Sequence, residues 1–184
     1  HSVLVSQAGA GFEGPASLKG RRIALGSADS AQAAILPLHY LAEAGVAESD
    51  LKVIRINSDL GKHGDTGRSE LDAIRMVLDG DADAAAIGNT TWQSIGRDEL
   101  MPGALEAFWT TPRYSHCTFT VMDSTAAERT DPWVDRLLAM DWDVPEQRRI
   151  MELEGCERSW VPPNLAGYES LFAAVERQGV SARW

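Results

Sequence analysis

The chain has 184 residues, a net charge of −10, 44% hydrophobic and 24% charged residues. This is the composition of a folded globular protein rather than a disordered one. The acidic balance excludes nucleic acid or an anionic membrane surface as a general partner, but leaves a small anion open, because a local ring of N–H donors can oppose the overall field. No run of about 18 apolar residues occurs, so no membrane-crossing helix and no stable membrane insertion are expected. Cys117 and Cys156 stand apart without CxxC spacing, which gives no support for zinc and leaves a single disulfide open. No nucleophile elbow, HExxH, P-loop or dinucleotide fingerprint is present, and no cofactor is expected. The chain opens at His1 with no visible signal peptide, and is expected to be a processed product or a fragment.

In chain order, His1 to Gln7 reads as a strand followed by a link through Gly9, Gly11 and Gly14. A domain that opens on such an apolar strand needs neighbours on both sides of it. Arg22-Ile-Ala-Leu-Gly26 reads as a buried strand, Ser27, Asp29 and Ser30 as a polar turn, and Ala31 to Ala44 as a helix. Pro37 should kink that helix and Gly45 should stop it. A strand, a tight turn and a helix start leave N–H groups pointing out of the turn, a ready anion site. The plainer alternative is that Asp29 or Ser30 caps a core helix.

Leu51 to Asn57 alternates as a second strand, and Ser58 to Arg68 is a polar, glycine-rich loop. Open α/β sheets bind ligands at this end of a strand. Ser69 to Asp79 is an amphipathic helix with Ser69 as a candidate cap, Glu70 and Asp72 in its first turn, and Gly80 after it. Ala82 to Gly88 is a third apolar strand running into Asn89-Thr90-Thr91. This β-α-β-α-β order predicts a parallel sheet with right-handed crossovers. A short helix over Thr91 to Arg97 and strands over Leu105 to Thr110 and Tyr114 to Met122 follow. Asp131-Pro132 should then open a helix running to Met140, Pro145 one running to Glu154, and Asn164 should cap a last helix from Leu165 to Gln178.

Leu18-Lys-Gly20 before a strand, the polar turn, a helix with an early proline, and Ala82-Asp-Ala-Ala-Ala86 after a Leu-Asp-Gly helix end set a distinctive spacing. Phe108-Trp-Thr-Thr-Pro112 and Trp160-Val-Pro-Pro163 with Tyr168 extend it. Together they resemble the phosphonate/phosphate-type substrate-binding proteins of ABC importers, over nearly all of this chain but about the last two-thirds of a family member. The resemblance implies an α/β, type II periplasmic-binding-protein-like fold: a parallel-sheet lobe with a C-terminal helical part of a second lobe. It implies a hinge strand and link over 1–14, a complete lobe carrying half the ligand cleft over 15–112, a returning hinge strand over 113–122, and helices of the other, incomplete lobe over 123–184. A missing N-terminal segment of the same protein would supply the rest of that lobe.

The family's anion-binding turn reads Ser-Thr-Ser. The matching positions here are Ser30, Ala31 and Gln32, of which only Ser30 keeps its hydroxyl. Ser27 lies in the same turn, His63 matches a Gly-x-His loop as Gly61-Lys-His63, and Asn89 with Thr90 follows the third strand. The implied ligand-binding set is therefore Ser27, Ser30, Ala31, Gln32, His63, Asn89 and Thr90. Gly64 to Arg68 is an insertion in the pattern, and Lys62 and Arg68 are nearby cations. The implied function is extracytoplasmic capture of a small oxyanion, phosphonate or phosphate, for an ABC permease. The alternatives are a lyase- or desulfinase-like enzyme on the same fold, or a cytoplasmic ligand-sensing domain. His116 and Cys117 are the residues an enzyme would draw on with His63, yet neighbours on a strand point to opposite faces.

Overall fold

The computed structural model describes residues 1–61, 68–97, 103–115, 118–154, 156, 158–162 and 164–180. They fall into two compact units, one of His1–Tyr114 with the chain from Gly167 onward, the other Ser115–Ala166.

The first unit is built on a five-stranded sheet of β1 (Ser2–Gln7), β2 (Arg22–Leu25), β3 (Lys52–Arg55), β4 (Ala84–Gly88) and β5 (Leu105–Thr110), in the order β3-β2-β4-β1-β5. β2 pairs in parallel with β3 and β4, as the alternation of strands and helices predicts. β1 runs against both of its neighbours, β4 and β5, so the sheet is mixed rather than wholly parallel. It is joined to β2 by a link that holds only a 3-10 turn, so nothing in that connection forces the parallel sense. Its neighbours on both sides explain why Val3, Leu4 and Val5 are fully buried.

Successive side chains go to opposite faces of the sheet. Leu4, Ile23, Leu25, Ala84 and Ala86 join Leu38 and Leu41 on one face, while Val3, Val5, Ala24, Ala85 and Ile87 join Ala73, Ile74 and Val77 on the other. These are contributions of α1 (Leu36–Glu43) and α2 (Ser69–Leu78), so one helix covers each face. The run of alanines in β4 keeps that central strand thin between them. α3 (Asn89–Arg97) follows β4 without a loop.

The predicted helix over Ala31 to Ala44 begins as a wider π turn, Ala31–Ile35, and becomes α-helical at Leu36. Pro37 stands in the first α turn, and its missing N–H is the one that would have bonded to the Ala33 carbonyl. Gly26 N–H takes that acceptor instead, at 3.0 Å. The expected kink is thus a change of helical pitch that frees one carbonyl for the end of β2.

In the second unit, α4 (Ala127–Leu138) opens well before Pro132, which lies inside it rather than at its start. Proline there removes a single bond, to the Glu128 carbonyl in the first turn, and the helix continues. α5 (Pro145–Leu153) begins where Pro145 predicts. Tyr114 to Met122 forms no strand among its described residues, because it has no strand beside it to bond with. After a 3-10 turn at Leu165–Tyr168, α6 (Glu169–Arg177) returns to the first unit rather than staying with the helices before it. Ala174 is buried with Ile35 and Leu36, and Gln178 Nε2 donates to the Ile35 carbonyl at 2.8 Å. The 123–184 grouping is therefore divided, because the apolar stripe of α6 finds its cover on the π turn and α1.

Candidate functional site

The carboxyl ends of β2, β3 and β4 open on one edge of the sheet, and the antiparallel β1 brings its amino end there too. Asn89 N–H donates to the His1 carbonyl at 3.1 Å, and Ser2 N–H to Thr111 Oγ1 at 2.8 Å. Four segments meet at this edge: the β2 turn, the loop after β3, the β4–α3 junction and the chain leaving β5.

Ser30 is the N-cap of the π turn, its hydroxyl accepting from Ala33 N–H at 3.2 Å. The capping role and the anion-site role are compatible here. A cap satisfies only one of the first N–H groups, and those of Ala31 and Gln32 precede any possible intrahelical acceptor. Asp29, the other cap candidate, instead accepts from Gly61 N–H at 2.7 Å. That contact ties the two loops together.

Ser27 is buried and its hydroxyl is shared between Asp59 N–H, at 3.1 Å, and the Ile56 carbonyl, at 3.3 Å. Ala28 N–H adds a bond to Asn57 Oδ1 at 3.1 Å. Asp59, itself buried, accepts from Ser69 N–H at the start of α2. Asp59 thus does the capping that the sequence assigns to Ser69. Ser27 fixes the loop after β3 against the turn after β2.

Gln32 projects over Gly88. A Cβ on Gly88 would lie 3.0 Å from Gln32 Cγ and 3.4 Å from Glu70 Oε1, so the absence of a side chain lets all three residues converge. Gly88 N–H donates to Glu70 Oε2 at 2.9 Å. The Tyr114 hydroxyl donates to Gln32 Oε1 at 3.0 Å. That bond fixes the amide's orientation, with Oε1 toward the tyrosine and Nε2, a two-proton donor, at the other end. Asn89 and Thr90 are the first residues of α3, half-buried at the end of β4.

Of the implied ligand set, Ser30, Ala31, Gln32, Asn89 and Thr90 are placed at this edge, with Ser27 just beneath. His63 lies outside the described residues, as do Lys62, most of the Gly64 to Arg68 insertion, and the His116–Cys117 pair. Glu70 and Tyr114 are additions. Sequence assigns Glu70 to the dipole of α2 and Tyr114 to a strand, and no local pattern says that either meets Gln32. The usable signal was Gly88 ending an apolar strand, a sign of close approach at that point.

Away from this edge, ionisable groups of this unit are perturbed at two places. Arg22 and Asp83 form a bidentate pair, 2.8 Å between Nη2 and Oδ1, and Arg22 N–H also donates to Asp83. The hydrogen bond from Arg22 holds the Asp83 carboxyl below the usual carboxylate range. His39 is 4% exposed on α1, its Nε2 3.4 Å from Glu43, and its Nδ1 is buried without a hydrogen-bond partner. Burial lowers its pKa, with Arg177 pushing the same way and Glu43 opposing.

A sheet that presents a helix start, a loop and a strand end at one carboxyl edge has the place where open α/β folds bind ligands. The chain belongs to the family of periplasmic substrate-binding proteins of phosphonate ABC transporters, which it matches over residues 1–168. No curated protein matches it. Among solved structures, PhnD1 of Prochlorococcus marinus in complex with methylphosphonate is similar with a TM-score of 0.70 at 21% identity, over 97% of this chain and 66% of that one. A Xanthomonas citri protein bound to chloride ion gives 0.67 at 16%, over 96% and 65%. The binding-protein component of an ABC phosphonate transporter from Pseudomonas aeruginosa gives 0.57 at 13%, over 85% and 50%. At these identities the likeness concerns the fold. The chain spans less than two-thirds of the length of each of these structures.

Proposed function

We propose that this chain is the larger part of an extracytoplasmic solute-binding protein that captures a small phosphorus oxyanion for an ABC permease. The observation that carries this reading is the start of the π turn. The Ala31 and Gln32 N–H groups open at the carboxyl edge of the sheet, beside a Gln32 amide oriented by Tyr114. A tetrahedral oxyanion would accept from these groups, with Asn89 and Thr90 contributing from the β4–α3 junction. Family membership supports a ligand cleft completed by a second lobe. Contacts from both lobes would favour a closed form for the permease to recognise.

The second unit fits the same picture. Phe119, Val121, Met122, Trp133, Val134, Ile150, Leu153 and Val161 are exposed on it. We infer that polypeptide ahead of His1 covers them, as the first-lobe segment would in a longer chain. The test of function is thermal unfolding of the protein expressed from its whole gene, against methylphosphonate, phosphate, phosphite and small carboxylates. At a hundred times its dissociation constant a ligand stabilises by about 2.7 kcal/mol. A shift with a phosphorus oxyanion that is lost in Gln32→Met supports the reading; no shift with any phosphorus oxyanion refutes it.

A further inference from the structure

Ser2, at the amino end of β1, carries a buried hydroxyl with nothing to bond to. Its backbone is engaged on both sides, the N–H with Thr111 Oγ1 and the carbonyl with Thr111 N–H. The residue is 0% exposed, and its Oγ has no hydrogen-bond partner among the described residues. Ser6, on the same face of β1 and equally buried, differs in that its Oγ donates to the Gln7 carbonyl at 3.2 Å. Burying a hydroxyl without a partner is costly, so an orphan of this kind calls for a reason. The register of β1 shows where it is aimed. Ser2 lies opposite Gly88, so the two residues share a face of the sheet. Asn89 N–H bonds to the His1 carbonyl, which makes Ser2 and Gly88 the closer, non-hydrogen-bonded kind of pair, with Cβ positions about 5 Å apart. The Cβ position of Gly88 is the one that Gln32 Cγ overlies at 3.0 Å. Rotation about the side-chain bonds of Gln32 therefore brings its amide within reach of the Ser2 hydroxyl. In the arrangement observed, the Tyr114 hydroxyl holds that amide instead, donating to Oε1 at 3.0 Å.

We propose that Ser2 is an affinity-setting residue: its hydroxyl competes with Tyr114 for the Gln32 amide, and the ligand binds the arrangement that Tyr114 holds. The inference rests on the oxyanion reading given above. With Tyr114 on Oε1, Gln32 Nε2 stays at the edge as a donor. Turned inward, the amide bonds to Ser2 and the edge loses that donor. The first arrangement orphans a buried hydroxyl, and the second gives up the bond from Tyr114. A bond between neutral groups returns no more than a buried orphan costs, so the two arrangements lie close in free energy. Exposure favours the inward one, because water can serve the part-exposed Tyr114 but does not reach Ser2. The apparent affinity is then the intrinsic affinity reduced by the fraction of molecules in the competent arrangement.

The test is calorimetric titration with methylphosphonate of the protein expressed from its whole gene, as wild type, Ser2→Ala, Tyr114→Phe and the double variant. Ser2→Ala removes the competing arrangement and is expected to bind about twofold or more tighter than wild type. Tyr114→Phe should bind more weakly, and adding Ser2→Ala to it should recover most of that loss. A gain below about twofold in Ser2→Ala overturns the proposal, as does weaker binding, which would make the hydroxyl a direct ligand contact. A Tyr114→Phe defect that Ser2→Ala leaves untouched overturns it too. If neither wild type nor Ser2→Ala binds, the oxyanion reading itself fails and takes this inference with it.

Discussion

Gly26 is the position at which the end of β2 meets the π turn, and replacing it with alanine tests that junction directly. Its backbone is not in the left-handed region, so only packing forbids a side chain. A Cβ there would stand 2.6 Å from Ala33 Cβ, about 1 Å inside ordinary carbon contact. Relief requires β2 and the π turn to separate, which costs about 1–3 kcal/mol of overpacking. Separation also stretches the Gly26 N–H bond to the Ala33 carbonyl, worth about 0.5–1.5 kcal/mol. Alanine regains about 0.4–1 kcal/mol by restricting the unfolded chain. The expected net loss is near 2 kcal/mol, read as a lower urea midpoint at unchanged slope. Ala33→Gly removes the opposing methyl at about 1 kcal/mol of helix propensity. The double variant should therefore sit close to Ala33→Gly alone, well above the sum of the two losses. Stability of Gly26→Ala within about 0.5 kcal/mol of wild type, or strict additivity of the pair, would refute the reasoning.

Ser30→Ala should lose about 1 kcal/mol of stability with the cap, whereas Ser30→Asp should keep the cap but weaken oxyanion affinity through its charge; parallel unfolding and titration of both separate the roles. His39 has a depressed folded pKa, so the unfolded state takes up its proton first as pH falls. Its contribution is complete above the ordinary imidazole value of about 6.5 and is lost as pH falls below it toward the folded value. Unfolding free energy should therefore drop between about pH 7.5 and 5.5, and drop less in His39→Phe; equal drops would count against it. Asp83 is likewise depressed, by its bond from Arg22, so its stabilisation holds above the unfolded carboxylate value of about 3.9 and disappears as pH falls below it. Asp83→Asn should flatten the acid limb of the stability profile in that range, measured as urea midpoints, and an unaltered limb would exclude the pair as its source.

Most of the first unit was legible in sequence because its signals are local. Arg22 to Gly26, Leu51 to Asn57 and Ala82 to Gly88 each carry the apolar pattern of a covered strand, and Gly45 and Gly80 mark the ends of the intervening helices. What escaped depends on partners distant in sequence. β1 is read correctly as a strand, but its antiparallel sense is set by where its connection runs. Tyr114 to Met122 has strand composition without a neighbouring strand, and composition cannot supply one. Pro132 looks like a helix start, yet Ala127 to Asp131 adopt the helix before it. The site divides the same way. Ser30, Ala31 and Gln32 are candidates that the family resemblance implies at a strand–turn–helix junction, while Glu70 and Tyr114 join them only through Gly88 and Gln32, 18 and 82 residues away.

The carboxyl edge of the sheet is held in place largely by the packing of the π turn against its neighbours. Pro37 withholds an N–H, and Ala33 thereby keeps a carbonyl that Gly26 can reach. That bond draws the end of β2 against the π turn, and the close contact is tolerated because position 26 has no side chain. The wide turn then leaves Ser30 extended as a cap, with Ile35 and Leu36 turned toward Ala174 of α6. Ser27 and Asp29 tie the loop after β3 to the same turn. Charge and hydrogen-bonding capacity at the edge come from Gln32, Glu70 and the open N–H groups, but their spacing is set by a proline, a glycine and an alanine. The departure from Ser-Thr-Ser to Ser30-Ala31-Gln32 therefore changes the side chains at the edge and leaves these supports untouched.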